Sequence, residues 1–166
     1  LTEITDEIDR AVYHAGTKLL KEKGYEHYEI SNFAKRGYES RHNLKYWEMA
    51  PYMGLGLGAS SFIDNSRVMN VCSLDEYFNL TGKGLAPSAE VHENVAEAVF
   101  TGLRKVEGIR YEDVLGSYEK FWEYYSDVFE EAREYEREGK IVIGEDGMRL
   151  TDEGIDISNS IMALFV

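Results

Sequence analysis

The spacing of apolar residues changes character near residue 85, which limits the chain to a mixed α/β module followed by a mainly helical one. Before that point, helical and strand spacings alternate. Ile8, Val12, Ala15 and Leu19 repeat at steps of four, three and four, predicting a helix over residues 6–23 with Gly24 as its stop. The aromatics and Ile30 of YEHYEI predict a strand over residues 25–30. Residues 31–52 have no clean period and predict a long ordered connection, a kind of segment that is uncommon unless functional. In MGLGLGASSF, Gly54, Gly56 and Gly58 alternate with Met53, Leu55, Leu57 and Ala59, predicting a strand with one bare glycine face. Ser73 and Glu76 match a capping box that opens a short helix to about Leu80.

The turn residues of TGKGLAPS, 81–88, mark the module boundary, giving modules of 1–83 and 84–166. Val91, Val95, Val99, Leu103 and Val106 predict one helix, residues 111–115 a shorter one, and Phe121, Tyr125, Phe129, Ala132 and Tyr135 a long third. KIVIGEDGMRLT predicts a hairpin turning at Glu145, Asp146 and Gly147, and Thr151 is placed to cap a last helix reaching Leu164. Helices, a hairpin and a helix in that order resemble a winged helix. Charge argues against the DNA binding that this arrangement often serves. Residues 1–84 carry 12 acidic and 10 basic side chains, whereas residues 85–166 carry 19 and 8, so the helical module lacks the cations that neutralise phosphate.

With 43% hydrophobic and 13% aromatic residues and two prolines, the composition is that of a folded chain without long disordered linkers. No apolar run approaches the roughly 18 residues of a membrane span, and LTEITDEIDR has no signal-peptide pattern, so a cytoplasmic site is expected. Cys72 is the single cysteine, which excludes an internal disulfide and a thiolate cluster within this sequence.

Residues 41–47, RHNLKYW, concentrate the most chemistry. His42 offers a neutral ring nitrogen to a metal, Asn43 a carboxamide to orient it, and Tyr46 and Trp47 flat apolar area. Lys35, Arg36, Arg41 and Lys45 make this the least repulsive place for an anion. The same residues suit a structural role, with His42 and Asn43 satisfying backbone groups and the aromatics packed in the core. Glu29, on a strand expected to be buried, either binds a ligand or pairs with a cation. The glycines do not form a dinucleotide fingerprint, which needs a helix starting just after the second glycine. His14, His27 and His92 fit ordinary structural positions.

Taken together, YEISNFA at 28–34, HNLKYW at 42–47 and GLGLGAS at 54–60 resemble the HemW branch of the oxygen-independent coproporphyrinogen III oxidase-like radical S-adenosylmethionine proteins. The acidic helical module resembles that family's C-terminal domain. The resemblance implies an α/β (α+β) fold: the closing part of a partial (βα)6 barrel over 1–83, then a winged-helix-like C-terminal domain, together the C-terminal part of a longer protein. It implies heme binding through an HNxxYW motif, here His42, Asn43, Tyr46 and Trp47, with Arg41 beside it and His42 as ligand to the heme iron. It further implies a heme-delivery role toward a heme-accepting protein. In the longer protein it implies S-adenosylmethionine near Glu29, Gly54, Gly56, Gly58 and Ala59, and a 4Fe–4S cluster. The family's CxxxCxxC is absent from this sequence, so the chain is expected to be catalytically inactive by itself. Two alternatives stand beside heme delivery. One is the oxidative decarboxylation of coproporphyrinogen III in porphyrin biosynthesis, and the other is a structural role in which the acidic module docks a basic partner.

Overall fold

The computed structural model describes residues 5–80, 88–89 and 94–166. His92, Val91 and most of the expected module boundary, residues 81–87, lie outside the described residues.

Helix α1 (Asp6–Glu22) ends where expected, with Gly24 at φ +80°. Its packing face is not the predicted one. Ile8, Val12 and Leu19 are more than half exposed, while Thr17 is buried and Tyr13 turns inward. The contacts of the inward side are polar: the Tyr13 hydroxyl donates to the Ile30 carbonyl at 2.9 Å, and Arg10 and His14 reach Asp156 at 3.1 and 2.9 Å. Strands β1 (Glu26–Glu29) and β2 (Asn32–Ala34) form an antiparallel hairpin with an irregularity between His27 and Glu29. The connection read from sequence as aperiodic contains β2 and a further helix, α2 (Arg41–Trp47), which is the whole RHNLKYW stretch. Seven residues make fewer than two turns, too few to display a period of their own.

The predicted glycine strand does not form. Gly56 and Gly58 have φ of +104° and +65°, the left-handed region, so residues 53–59 turn instead of extending. The strand begins only at β3 (Ser60–Ile63), which pairs with β4 (Ser66–Met69) and through it with β5 (Ser88–Ala89). Gly54 is required for a different reason, because a Cβ there would overlap the Ser60 carbonyl. Helix α3 (Leu74–Leu80) is capped by Ser73 as expected, its hydroxyl accepting from the Glu76 amide at 3.5 Å.

In the second half, α4 (Asn94–Gly102) stops before Val106, because residues 104–106 leave the helix to bond with β1. Strand β6 (Ile109–Arg110) and helix α5 (Tyr111–Val114) follow. The predicted long helix is two, α6 (Tyr118–Tyr124) and α7 (Phe129–Arg137). The chain breaks where the Tyr125 hydroxyl turns to donate to the Phe165 carbonyl at 3.1 Å. The hairpin β7 (Ile141–Ile143) and β8 (Gly147–Leu150) forms as read, with β6 on the other side of β8. Thr151 caps α8 (Asp152–Ile155), but the last helix restarts as α9 (Ser158–Met162) and closes in a 3-10 turn, Ala163–Phe165. All ladders among the described residues are antiparallel, so the parallel pairing of a barrel is not made within them.

The main core lies in the second half, around Phe121, Trp122, Tyr125, Tyr111 and Phe165, whose rings contact one another at tilted or edge-on angles. Burial pushes the Tyr111 hydroxyl up to about 12, so it stays neutral throughout the physiological range. Phe121, fully buried at the centre of this cluster, is expected to cost about 3–5 kcal/mol on replacement by alanine. Urea unfolding of Phe121→Ala checks this through a lowered midpoint at unchanged slope.

Candidate functional site

The site is built from β1 outward. The Tyr28 hydroxyl on β1 accepts from the Ser40 amide at 3.2 Å, and Ser40 in turn caps α2, its side chain accepting from the Asn43 amide at 3.4 Å. On α2, residues four apart share a face, so RHNLKYW resolves into three adjacent rows. Arg41 and Lys45 form an exposed cationic row. Beside it, His42 and Tyr46 form an imidazole–phenol row with ring centroids 5.0 Å apart and the Tyr46 hydroxyl 3.2 Å from His42 Nε2. The third row is Asn43 and Trp47, and the Arg104 guanidinium sits 4.6 Å above the Trp47 ring centre. His42 and Arg41 are exposed, whereas Asn43, Tyr46 and Trp47 are half-buried.

A chain of contacts supports the middle row from behind. The Tyr46 and Tyr52 rings meet edge to face with centroids 4.7 Å apart, and the Tyr52 hydroxyl accepts from Arg67 Nη1 at 2.5 Å. The Arg67 guanidinium lies 5.9 Å from the centres of both the Tyr52 and the Phe62 rings and forms an ion pair with Glu97 of α4. Burial works against the charge on Arg67, yet the bonds to Glu97 and Tyr52 outweigh it and raise its pKa above the ordinary value.

The other predicted residues have different surroundings. Glu29 is buried and accepts from the Ser31 amide at 3.0 Å and from the Asn32 carboxamide, so its carboxylate braces the β1–β2 turn. The glycine turn is held by Asn70, which donates to the Gly56 carbonyl at 2.8 Å and the Gly54 carbonyl at 3.4 Å. The Ala59 amide closes the turn onto the Gly56 carbonyl at 3.3 Å. A Cβ on Gly56 meets no atom within 4 Å, so its backbone faces open space. Among the described residues no three His, Cys, Asp or Glu are placed to hold a metal ion, and no helix is long and apolar enough to cross a membrane.

Sequence reasoning missed Tyr52, Arg67, Asn70, Glu97 and Arg104. One signal was present: Arg67 is the single cation between Lys45 and Lys83.

Comparison with known proteins gives the class. Residues 91–157 match the HemN C-terminal domain. The structure of coproporphyrinogen III oxidase (HemN) from Escherichia coli, a radical S-adenosylmethionine enzyme, aligns with a TM-score of 0.67 over 98% of this chain and 42% of that one, at 15% identity. The chain therefore shares the fold of the matching part of that structure. The heme chaperone HemW of Bacillus subtilis (strain 168) is 31% identical over 166 residues, covering 96% of this chain and 43% of that protein. The heme chaperone HemW of Lactococcus lactis subsp. lactis (strain IL1403) is 29% identical over 152 residues, covering 89% and 39%. The chain is similar to these heme chaperones over most of its own length and spans about two-fifths of theirs.

His27 sets the pH response of the hairpin behind this site. Its ring stacks on Phe33 at 4.3 Å and its Nε2 lies 3.2 Å from the Ile30 carbonyl. Desolvation lowers its pKa below 6.5, outweighing the backbone bond to Ile30 that works the other way. The fold therefore favours the neutral ring. That contribution is fully present above pH 6.5 and is lost as pH falls from 6.5 through the lower folded value. The thermal midpoint is expected to fall on acidification across that window, and to fall less in His27→Gln.

Proposed function

We propose that the chain is the C-terminal part of a heme-binding, heme-delivery protein, with α2 presenting its binding face. The arrangement of the motif in rows carries this reading. His42 offers an imidazole to the heme iron and Tyr46 an aromatic edge next to it. Arg41 and Lys45 line the flank on which propionates would find cations. Asn43 and Trp47 complete the motif. The names of the relatives, heme chaperones, point the same way. Heme is here a cargo that must be released to an acceptor protein, which an exposed site serves better than a sealed one.

The rest of the proposal concerns the longer protein. The exposed stripe of Ile8, Val12 and Leu19 supports further structure packed on α1. On this reading residues 1–83 close a partial barrel and residues 84–166 form the winged-helix-like domain. S-adenosylmethionine would approach the open backbone at Gly56, with Gly54, Gly58 and Ala59 in the same turn, and Glu29 of the β1–β2 hairpin is the further residue proposed for it. A 4Fe–4S cluster does not fit the residues present, since Cys72 alone cannot supply three thiolates. No step is derived through either group. The location proposed is the cytoplasm.

A hemin titration followed through the Soret band tests the central assignment. A saturable shift that His42→Ala weakens at least tenfold is expected. Binding that is unchanged in His42→Ala, or a wild-type chain that does not saturate, contradicts it.

A further inference from the structure

Helix α2 is too short to hold itself in place. It has seven residues, one side-chain cap and no buried side chain, and isolated helices below about 12 residues are marginal in water. Its position must come from what it touches. Two of its three rows are tied to the same neighbour. The third row is tied through Trp47, whose ring lies under Arg104, the second residue after α4. Neither the Trp47 indole nitrogen nor Arg104 Nε has a hydrogen-bond partner, so stacking, not hydrogen bonding by these atoms, sets this contact. The middle row is tied through Tyr46, Tyr52 and Arg67 to Glu97 of α4. With the Arg67 and Glu97 side chains at 25% and 19% exposure, the pair is partly withdrawn from solvent, so removing one partner leaves the other charge poorly solvated. Between the helices, Trp47, Ala98, Gly102, Ile109 and Val114 line a cleft of about 290 Å³, so close apolar packing does not fix the joint.

We propose that α4 clamps the motif helix from two sides, with Arg67 and Arg104 as positioning residues that set how His42 is presented. Within HNxxYW this divides the labour. His42 and Tyr46 face the ligand, while Trp47 anchors the helix and does not touch the ligand. The clamp places the HemN C-terminal domain, which contains Glu97 and Arg104, in control of a site on the other module. A shift of α4 of a fraction of an ångström would then change the aim of the imidazole. The inference deepens the heme reading in what His42 is for, but the clamp is a property of the chain without ligand and is tested there.

The experiment is nitrogen-15 NMR of the ligand-free chain, reading the His42 ring nitrogens and the Trp47 indole N–H. Tyr46→Phe defines the His42 signal without its hydroxyl partner. Arg67→Met is expected to move the His42 signal toward that reference and Arg67→Lys to restore most of it. Arg104→Met is expected to shift the Trp47 indole. Should Arg67→Met lose the native far-ultraviolet spectrum, Glu97→Gln makes the same test more gently. Ile141→Val, in the distant core, is the control that should leave both signals in place. In chains that bind hemin, Arg67→Met and Arg104→Met are each expected to weaken binding by roughly tenfold, the effect of losing one well-placed contact. Signals unmoved by Arg67→Met and Arg104→Met would overturn the clamp even if hemin binds. Signals that move in a chain that binds no hemin uphold the clamp and remove the heme reading instead.

Discussion

The backbone exchange between β1 and the turn after α4 joins the two halves of the molecule. The Ile30 amide donates to the Arg104 carbonyl at 2.9 Å, the Val106 amide donates to the Tyr28 carbonyl at 3.1 Å, and Glu29 pairs with Lys105 between them. The first half buries few large apolar side chains, with Phe62 the principal one, so it borrows rigidity from the aromatic core of the second through this ladder. The same residues then position the site. Tyr28 holds the entry to α2, Glu29 braces the hairpin turn, and Arg104 sits on Trp47. A backbone ladder suits this task, because its geometry is fixed by peptide dimensions and not by side-chain rotamers.

The chemistry of the motif follows from putting it on a helix. In a loop, seven consecutive residues would point in several directions. On α2 they sort into a cationic, an imidazole–phenol and an indole–carboxamide row, each about 100° from the next. A planar ligand with a metal at its centre and carboxylates at its edge asks for the first two rows side by side. The third row is free to hold the helix. Polar and aromatic contacts do this holding.

Sequence reading found elements with strong local signals and lost those decided by tertiary contacts. The α1 boundaries were legible from spacing and Gly24, and the β7–β8 hairpin from its turn residues. The apolar face of α1 does not pack within the described residues, where Tyr13, Arg10 and His14 find the partners and Ile8, Val12 and Leu19 stay exposed. Glycine alternation mimics a strand period, but positive φ at Gly56 and Gly58 makes it a turn. The motif residues stood out by composition, but Arg67 and Glu97, 30 residues apart, are joined by a fold that no local pattern describes.

The central claim is that the His42 row of α2 receives a planar anionic porphyrin while the Trp47 row stays with the protein. Chemical-shift mapping of the nitrogen-15-labelled chain with diamagnetic zinc protoporphyrin IX tests it directly. The account predicts saturable shifts concentrated at Arg41, His42, Lys45 and Tyr46, with the Trp47 indole little changed. Shifts centred on Trp47 or on residues 54–59, with His42 undisturbed, would contradict it.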